Sequence, residues 1–186
     1  MTYRPKLIAT DLDGTIVQHS GVITDRTKAA FDSANNLGIE IFFVTGRPPR
    51  WMPEIKATFD YGKAICGNGA MLWDLHEEKV LESWLIPVDA QIQTVDRLRS
   101  SIPEVTFAVE SHGYFHRETK YLARWDAGLD LHGVADIAEI MKEPALKLLV
   151  RSADQSLSSD EMLEIAQRDL ADLVTVTHSK IGRAHV

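Results

Sequence analysis

The chain has 186 residues, 45% hydrophobic and 25% charged, ordinary globular values that exclude disordered, collagen-like and coiled-coil readings. Twenty basic against 27 acidic residues give a net charge of −7 with no Lys/Arg run, which argues against a nucleic-acid or membrane-surface binder. A single cysteine, Cys66, excludes a disulfide framework, and the opening MTYRPKLIAT has no apolar stretch of signal-peptide length, so a cytoplasmic protein is expected.

Lys6 to Asp11 is a short apolar run ending in acid, as a buried parallel strand would be. Thr24 can cap a helix from Asp25 to Leu37, with Ala29, Ala30, Phe31, Ala34 and Leu37 on one face and Gly38 at its left-handed end. Ile39 to Val44 predicts a second strand. Pro48 and Pro49 pre-set a helix running to about Phe59. Lys63 to Cys66 predicts a third strand. Asn68-Gly69 then signals a hairpin, because both turn positions take φ > 0. Met71 to Leu75 and Val80 to Ile86 complete residues 1–86 as βαβαβ plus a hairpin.

From Pro87 the pattern changes. Val88 to Ser100 predicts a helix with Val88, Ile92, Val95 and Leu98 inward. Val105 to Val109 and Tyr114 to Arg117 predict a hairpin. A short helix at Asp136 to Met141, a strand at Ala145 to Val150, a helix from Ser158 or Ser159 to Leu170 and a strand at Leu173 to Thr177 follow. Residues 87–178 therefore form a second, smaller α/β unit. The fold class expected is α/β, a Rossmann-like parallel sheet with an inserted smaller α/β domain.

The chemistry concentrates at three strand ends. Asp11 and Asp13, two residues apart past the first strand, point to the crevice where open parallel sheets bind ligands. Two anions that close repel, so a cation belongs with them, and hard oxygen ligands suit Mg2+. Gly14 lets the backbone approach closely, and Thr15 offers a hydroxyl and an N–H. On its own the pair also reads as turn or cap residues. The second strand ends in Thr45-Gly46-Arg47, a strand-to-helix turn suited to an anion, and the third in Cys66-Gly67-Asn68-Gly69-Ala70.

DLDGT followed by VTGR at this spacing resembles the first two motifs of the haloacid dehalogenase-like hydrolases, specifically the Cof-type phosphatases with an α/β cap. CGNGA resembles the segment before the cap. The likeness implies an aspartyl-phosphate on Asp11 and proton transfer by Asp13. It implies Mg2+ held by Asp11 and the backbone carbonyl of Asp13. Gly14, Thr15, Thr45, Gly46, Arg47 and Asn68 would serve the phosphoryl group or substrate, a small phosphorylated metabolite. The family also uses a lysine after the cap and an acidic GDxxND-like motif. Neither follows residue 178, and Lys147 and Lys180 do not stand where that lysine belongs. The resemblance thus implies a C-terminally truncated copy of low activity, whose first strand is an unprotected edge. Residues 179–186 look non-native: the final IGRAHV resembles the translation of a short-read sequencing adapter.

A phosphomutase on the same scaffold, or a non-catalytic receiver-like module, are the alternatives. His112 and His116 read as solvated hairpin residues rather than metal ligands. Cys66 reads as a small buried side chain. Trp51, Met52, Trp73, Trp84 and Trp125 read as core or domain-contact residues, with Tyr121 and Trp125 candidates for a substrate-facing loop.

Overall fold

In a computed structural model, residues 5–102, 104–122, 132–154 and 156–178 are described. The described residues divide into two compact units, one ending at Trp84 and the other beginning at Leu85.

The first unit is built on strands β1 (Leu7–Asp11), β2 (Glu40–Val44), β3 (Lys63–Cys66), β4 (Met71–Asp74) and β5 (Lys79–Ser83), lying side by side in that order. The β1–β2 and β2–β3 pairs are parallel, and the β3–β4 and β4–β5 pairs are antiparallel. Helix α1 (Asp25–Asn36) makes the crossover from β1 to β2. Thr24 caps it, its hydroxyl accepting from the Thr27 N–H at 3.1 Å. Gly38, at φ +73°, closes it: its N–H reaches the Asn35 carbonyl and the Ile39 N–H the Ala34 carbonyl, the paired bonds of a Schellman motif. The predicted helix after Pro48 is shorter than expected. A 3-10 turn at Pro49–Trp51 runs into α2 (Met52–Lys56), which ends three residues before Phe59.

Phe43 and Phe59 are both fully buried and stack at 5.1 Å, with Phe31 at 6.1 and 5.6 Å. This aromatic cluster ties β2 to the segments on either side. Gly62 approaches β2 so closely that a Cβ there would sit 2.8 Å from the Ile41 carbonyl oxygen. Its φ of +83° is a second reason for glycine. The apolar face predicted for α1 is only half-covered: none of its residues is fully buried, and Leu37 is 60% exposed. Correspondingly, β1 is the terminal strand of the sheet, paired with β2, and Leu7 is 48% exposed.

The second unit holds α3 (Val88–Ser101), β6 (Val105–Glu110), β7 (Phe115–Arg117), β8 (Lys147–Ser152) and α4 (Ser159–Leu170). Its sheet runs β7-β6-β8, all antiparallel. Val95, Leu98, Phe107, Val109, Ile137 and Leu170 make its core. The inward stripe of α3 is Gln91, Thr94, Val95 and Leu98; Ile92, expected inside, is 43% exposed. Ser158 and Glu161 cap α4 reciprocally. The short helical segment expected near Asp136–Met141 is a 3-10 helix at Ile137–Glu139, capped by Asp136, but one further expectation fails. Residues 174–178 form no strand, although Leu173, Val174 and Val176 do pack on the core. The alternation of that segment reported burial, but a strand also needs a ladder partner.

Glu118 organises this unit. Its buried carboxylate accepts from Arg99 Nη2 at 2.5 Å, Thr106 Oγ1 at 3.0 Å, the Phe107 N–H at 2.9 Å and the Ile137 N–H at 3.0 Å. Trp125, Lys180 and residues 181–186 lie outside the described residues. Among the described residues, no helix is long and apolar enough to cross a membrane.

Candidate functional site

Strand register decides which residues can meet. Asp11 stands opposite Val44, and Val44 opposite Ile65, so the carboxyl ends of β1, β2 and β3 finish level. The loops 12–15, 45–48 and 67–70 therefore leave one edge of the sheet together.

The first loop is a tight coil around Leu12, which is fully buried. The Leu12 carbonyl accepts from the N–H groups of Thr15, Ile16 and Val17, and the Gly14 N–H donates to Val17 O at 2.8 Å. Gly14 adopts φ +81°, a conformation that an L side chain would strain. The N–H groups of Gly14 and Thr15 are thus spent on the turn, and what Thr15 turns to solvent is its side chain. Asp11 is exposed at the strand tip, and Asp13 is half-buried beside it.

The second and third loops are sewn together. Thr45 is 4% exposed; its N–H donates to Ile65 O, and its hydroxyl accepts from the Arg47 N–H at 3.1 Å. The Asn68 N–H donates to Thr45 O at 3.2 Å and the Gly67 N–H to Arg47 O at 3.0 Å. Asn68 and Gly69 take φ of +62° and +97°, as the hairpin signal required. The turn is longer than the dipeptide suggested, because Cys66 pairs with Met71 and leaves four residues between them. A Cβ on Gly46 would lie 3.3 Å from Asn68 Oδ1, so Asn68 leans over the Gly46 backbone. Cys66 itself is buried, as expected of a small core side chain.

Arg47 joins the second loop to the first. Its Nε contacts both Asp13 oxygens, at 3.2 and 3.0 Å, and its Nη2 reaches Asp13 Oδ1 at 2.7 Å. This two-point fork is the strong form of an arginine–carboxylate pair. Nη1 makes a looser contact with Glu54 Oε2 at 3.4 Å. The guanidinium lies 6.0 Å from the Trp51 ring centroid, and Arg50 lies 5.3 Å from it on the same residue. Asp13, by hydrogen bonding to it, raises the Arg47 pKa above its ordinary value; burial opposes that, and Glu54 and Asp11 add to it. The cation that the paired aspartates called for is, in this fold, partly supplied by the chain itself.

The sequence-predicted positions thus fall at the carboxyl ends of the strands, Asp11 at the tip of β1 and Asp13, Gly14, Thr15, Thr45, Gly46, Arg47 and Asn68 in the three linked loops beyond. Sequence reasoning missed the Arg47–Asp13 fork and the Trp51 and Glu54 contacts around it. The 34-residue separation of the pair carries no local signal, although an arginine just past a strand tip facing an acidic tip could have suggested it. His112 and His116 lie on the β6–β7 hairpin turn and strand, where His116 stacks with Tyr114 at 5.9 Å. Trp84, read as a core or domain-contact residue, is 55% exposed.

Among the described residues, no group of three or more His, Cys, Asp or Glu gathers as a ready metal cage. The Asp11 carboxylate and the backbone carbonyl of Asp13 nonetheless suit Mg2+. That ion keeps several waters and takes one or two carboxylates plus substrate phosphate rather than a complete protein shell.

A family model described as haloacid dehalogenase-like hydrolase matches residues 8–186. Pyridoxal phosphate phosphatase YbhA of Escherichia coli is 33% identical over 94 residues, covering 50% of this chain and 35% of YbhA. The 5-amino-6-(5-phospho-D-ribitylamino)uracil phosphatase YcsE of Bacillus subtilis is 31% identical over 83 residues, 42% of this chain and 33% of YcsE. These matches span about a third of the length of the curated relatives. Among solved structures, TM0651 of Thermotoga maritima superposes with a TM-score of 0.72 at 20% identity, covering 95% of this chain and 67% of that one.

Proposed function

The chain belongs to the haloacid dehalogenase-like hydrolase family, and on that premise we propose that its three-loop edge binds and hydrolyses the phosphate monoester of a small cytoplasmic metabolite. The observation that carries this is the convergence of Asp11, Asp13, Thr45, Arg47 and Asn68 on one sheet edge. The relatives' own substrates, pyridoxal phosphate and a phosphoribitylaminouracil, are both small phosphate monoesters.

In this reading Asp11 is the nucleophile. Its carboxylate attacks phosphorus in line, the bond to the ester oxygen breaks, and an aspartyl-phosphate forms. Asp13 gives a proton to the departing alcohol and takes one from the water that then cleaves the acyl phosphate. Thr45 donates its hydroxyl proton to a phosphoryl oxygen while its own oxygen accepts from the Arg47 N–H. Asn68 supplies an amide N–H from across Gly46. Asp11 and the Asp13 carbonyl would hold Mg2+, which when bound neutralises charge on the phosphoryl oxygens.

Asp11 and the Asp13 carbonyl are the two oxygens among the described residues that this reading gives to Mg2+, and with so small a share of its shell supplied by them the turnover expected of the 186-residue chain is low. The test is Mg2+-dependent phosphate release from pyridoxal phosphate and a panel of sugar phosphates. Slow release that Asp11→Asn abolishes is expected. Robust turnover contradicts the loose metal shell, and release that survives Asp11→Asn contradicts the nucleophile. Phosphate passed to a second sugar instead of water identifies a mutase.

A further inference from the structure

We propose that the Arg47–Asp13 fork is a latch, closed in the free protein and opened by the incoming phosphoryl group, so that ligand binding itself releases Asp13. The inference rests on the phosphate-site reading above and adds a coupling between two of its residues. In the free protein Arg47 cannot meet a ligand with its fork, because Nε and Nη2 are both committed to Asp13 and Nη1 faces Glu54. Asp13 is equally occupied: both of its carboxylate oxygens accept from the same guanidinium. Each group is thus withheld by the other.

The pair is partly sheltered, its side chains 15% and 28% exposed, so water competes weakly for either partner. A phosphoryl dianion competes well. It offers three terminal oxygens and more charge than a carboxylate, and any two of those oxygens can face the guanidinium fork together. Arg47 is placed to make that exchange, because its backbone is fixed from both sides. Its N–H is bonded to Thr45 Oγ1 and its carbonyl to the Gly67 N–H, leaving the side chain as the moving part. The Trp51 ring gives the guanidinium a surface to pivot on. Ligand arrival then has a definite result: Arg47 turns to phosphate, and the Asp13 carboxylate is freed beside it.

The test is a double-mutant cycle read as affinity for inorganic phosphate in the presence of Mg2+, on the 186-residue chain. Asp13→Asn removes the partner that holds Arg47, so phosphate should bind about tenfold tighter. Arg47→Ala should weaken binding, and in the Arg47→Ala background Asp13→Asn should bring little gain. In the wild-type chain the Arg47 Nε–H resonance should also shift on adding phosphate, while in Asp13→Asn it starts displaced. An equal gain from Asp13→Asn with and without Arg47 means simple charge repulsion and overturns the latch. So does the absence of any gain. If phosphate binds none of the folded variants and not the wild type either, the phosphate site falls and the latch with it. If it binds the wild type and Thr45→Ala abolishes that binding, the site stands whatever the cycle says of the latch.

Discussion

Replacing Gly46 with alanine separates the site from the fold. The new Cβ would lie 3.3 Å from Asn68 Oδ1, 3.7 Å from its Nδ2 and 3.8 Å from its Cγ. These are atoms at the end of a side chain, and the backbone at position 46 is not in the left-handed region, so the fold itself can absorb the change. The Asn68 backbone, by contrast, is pinned by its bond to Thr45 O. The amide must therefore swing off its position, at a strain of about 0.5 kcal/mol. A loss of that size lowers the thermal midpoint of a chain this long by about 1–2 °C. On the proposed reading, the site loses one hydrogen bond to the ligand, worth about 0.5–1.5 kcal/mol, or roughly a two- to twelvefold weaker affinity. Isothermal titration with inorganic phosphate and Mg2+, beside a melting curve, reads both. Unchanged affinity would show that Asn68 does not touch the ligand. A melting point lower by many degrees would show that Gly46 serves the fold and not the site.

Gly62→Ala should do the opposite: its Cβ meets the Ile41 backbone oxygen at 2.8 Å and its φ is +83°, so a cost of about 2 kcal/mol or more and a midpoint lower by about 4–8 °C is expected, and an unchanged melting curve would contradict that close approach. Glu118→Ala strips the acceptor from two backbone N–H groups, the Thr106 hydroxyl and Arg99, and should destabilise the second unit by about 3–5 kcal/mol in urea titration. A loss under about 1 kcal/mol would mean that water replaces it freely. Burial, and then its hydrogen bond to Asp32 at 2.8 Å, push the Tyr61 phenol well above the usual tyrosine range. The folded state thus resists ionisation that the unfolded chain undergoes near pH 10. That contribution to stability is intact below pH 10 and is lost as pH rises beyond it. Absorbance at 295 nm should show a late phenolate step that Tyr61→Phe removes; a profile that merely loses one ordinary tyrosine contradicts the burial.

Local features were the legible ones. Thr24, Gly38 and Ser158 mark helix ends because a cap and a left-handed residue act within a turn. The strands at Leu7–Asp11, Glu40–Val44 and Lys63–Cys66 appear as short apolar runs, the pattern of parallel strands, although β1, at the end of the sheet, keeps Leu7 exposed. Pairing is not local. Leu173 to Thr177 has the alternation of a strand and packs on the core, yet it pairs with no strand among the described residues, so the pattern misled. The α3 stripe was misplaced because Gln91 is drawn inward by the Ile86 and Glu143 carbonyls at 2.9 Å, which turns Ile92 outward. The site residues were legible as types at strand ends, but the fork between Asp13 and Arg47 was not, since only the β1–β2 register brings them together.

The central claim is that the edge formed by residues 11–15, 45–47 and 68 receives a phosphoryl group. A backbone amide titration by NMR, adding inorganic phosphate to the 186-residue chain with Mg2+, tests it most directly. The largest shifts should fall on Asp11 to Thr15, on Thr45 to Arg47 and on Asn68. Shifts centred on the second unit, or none at these loops at saturating phosphate, would contradict it.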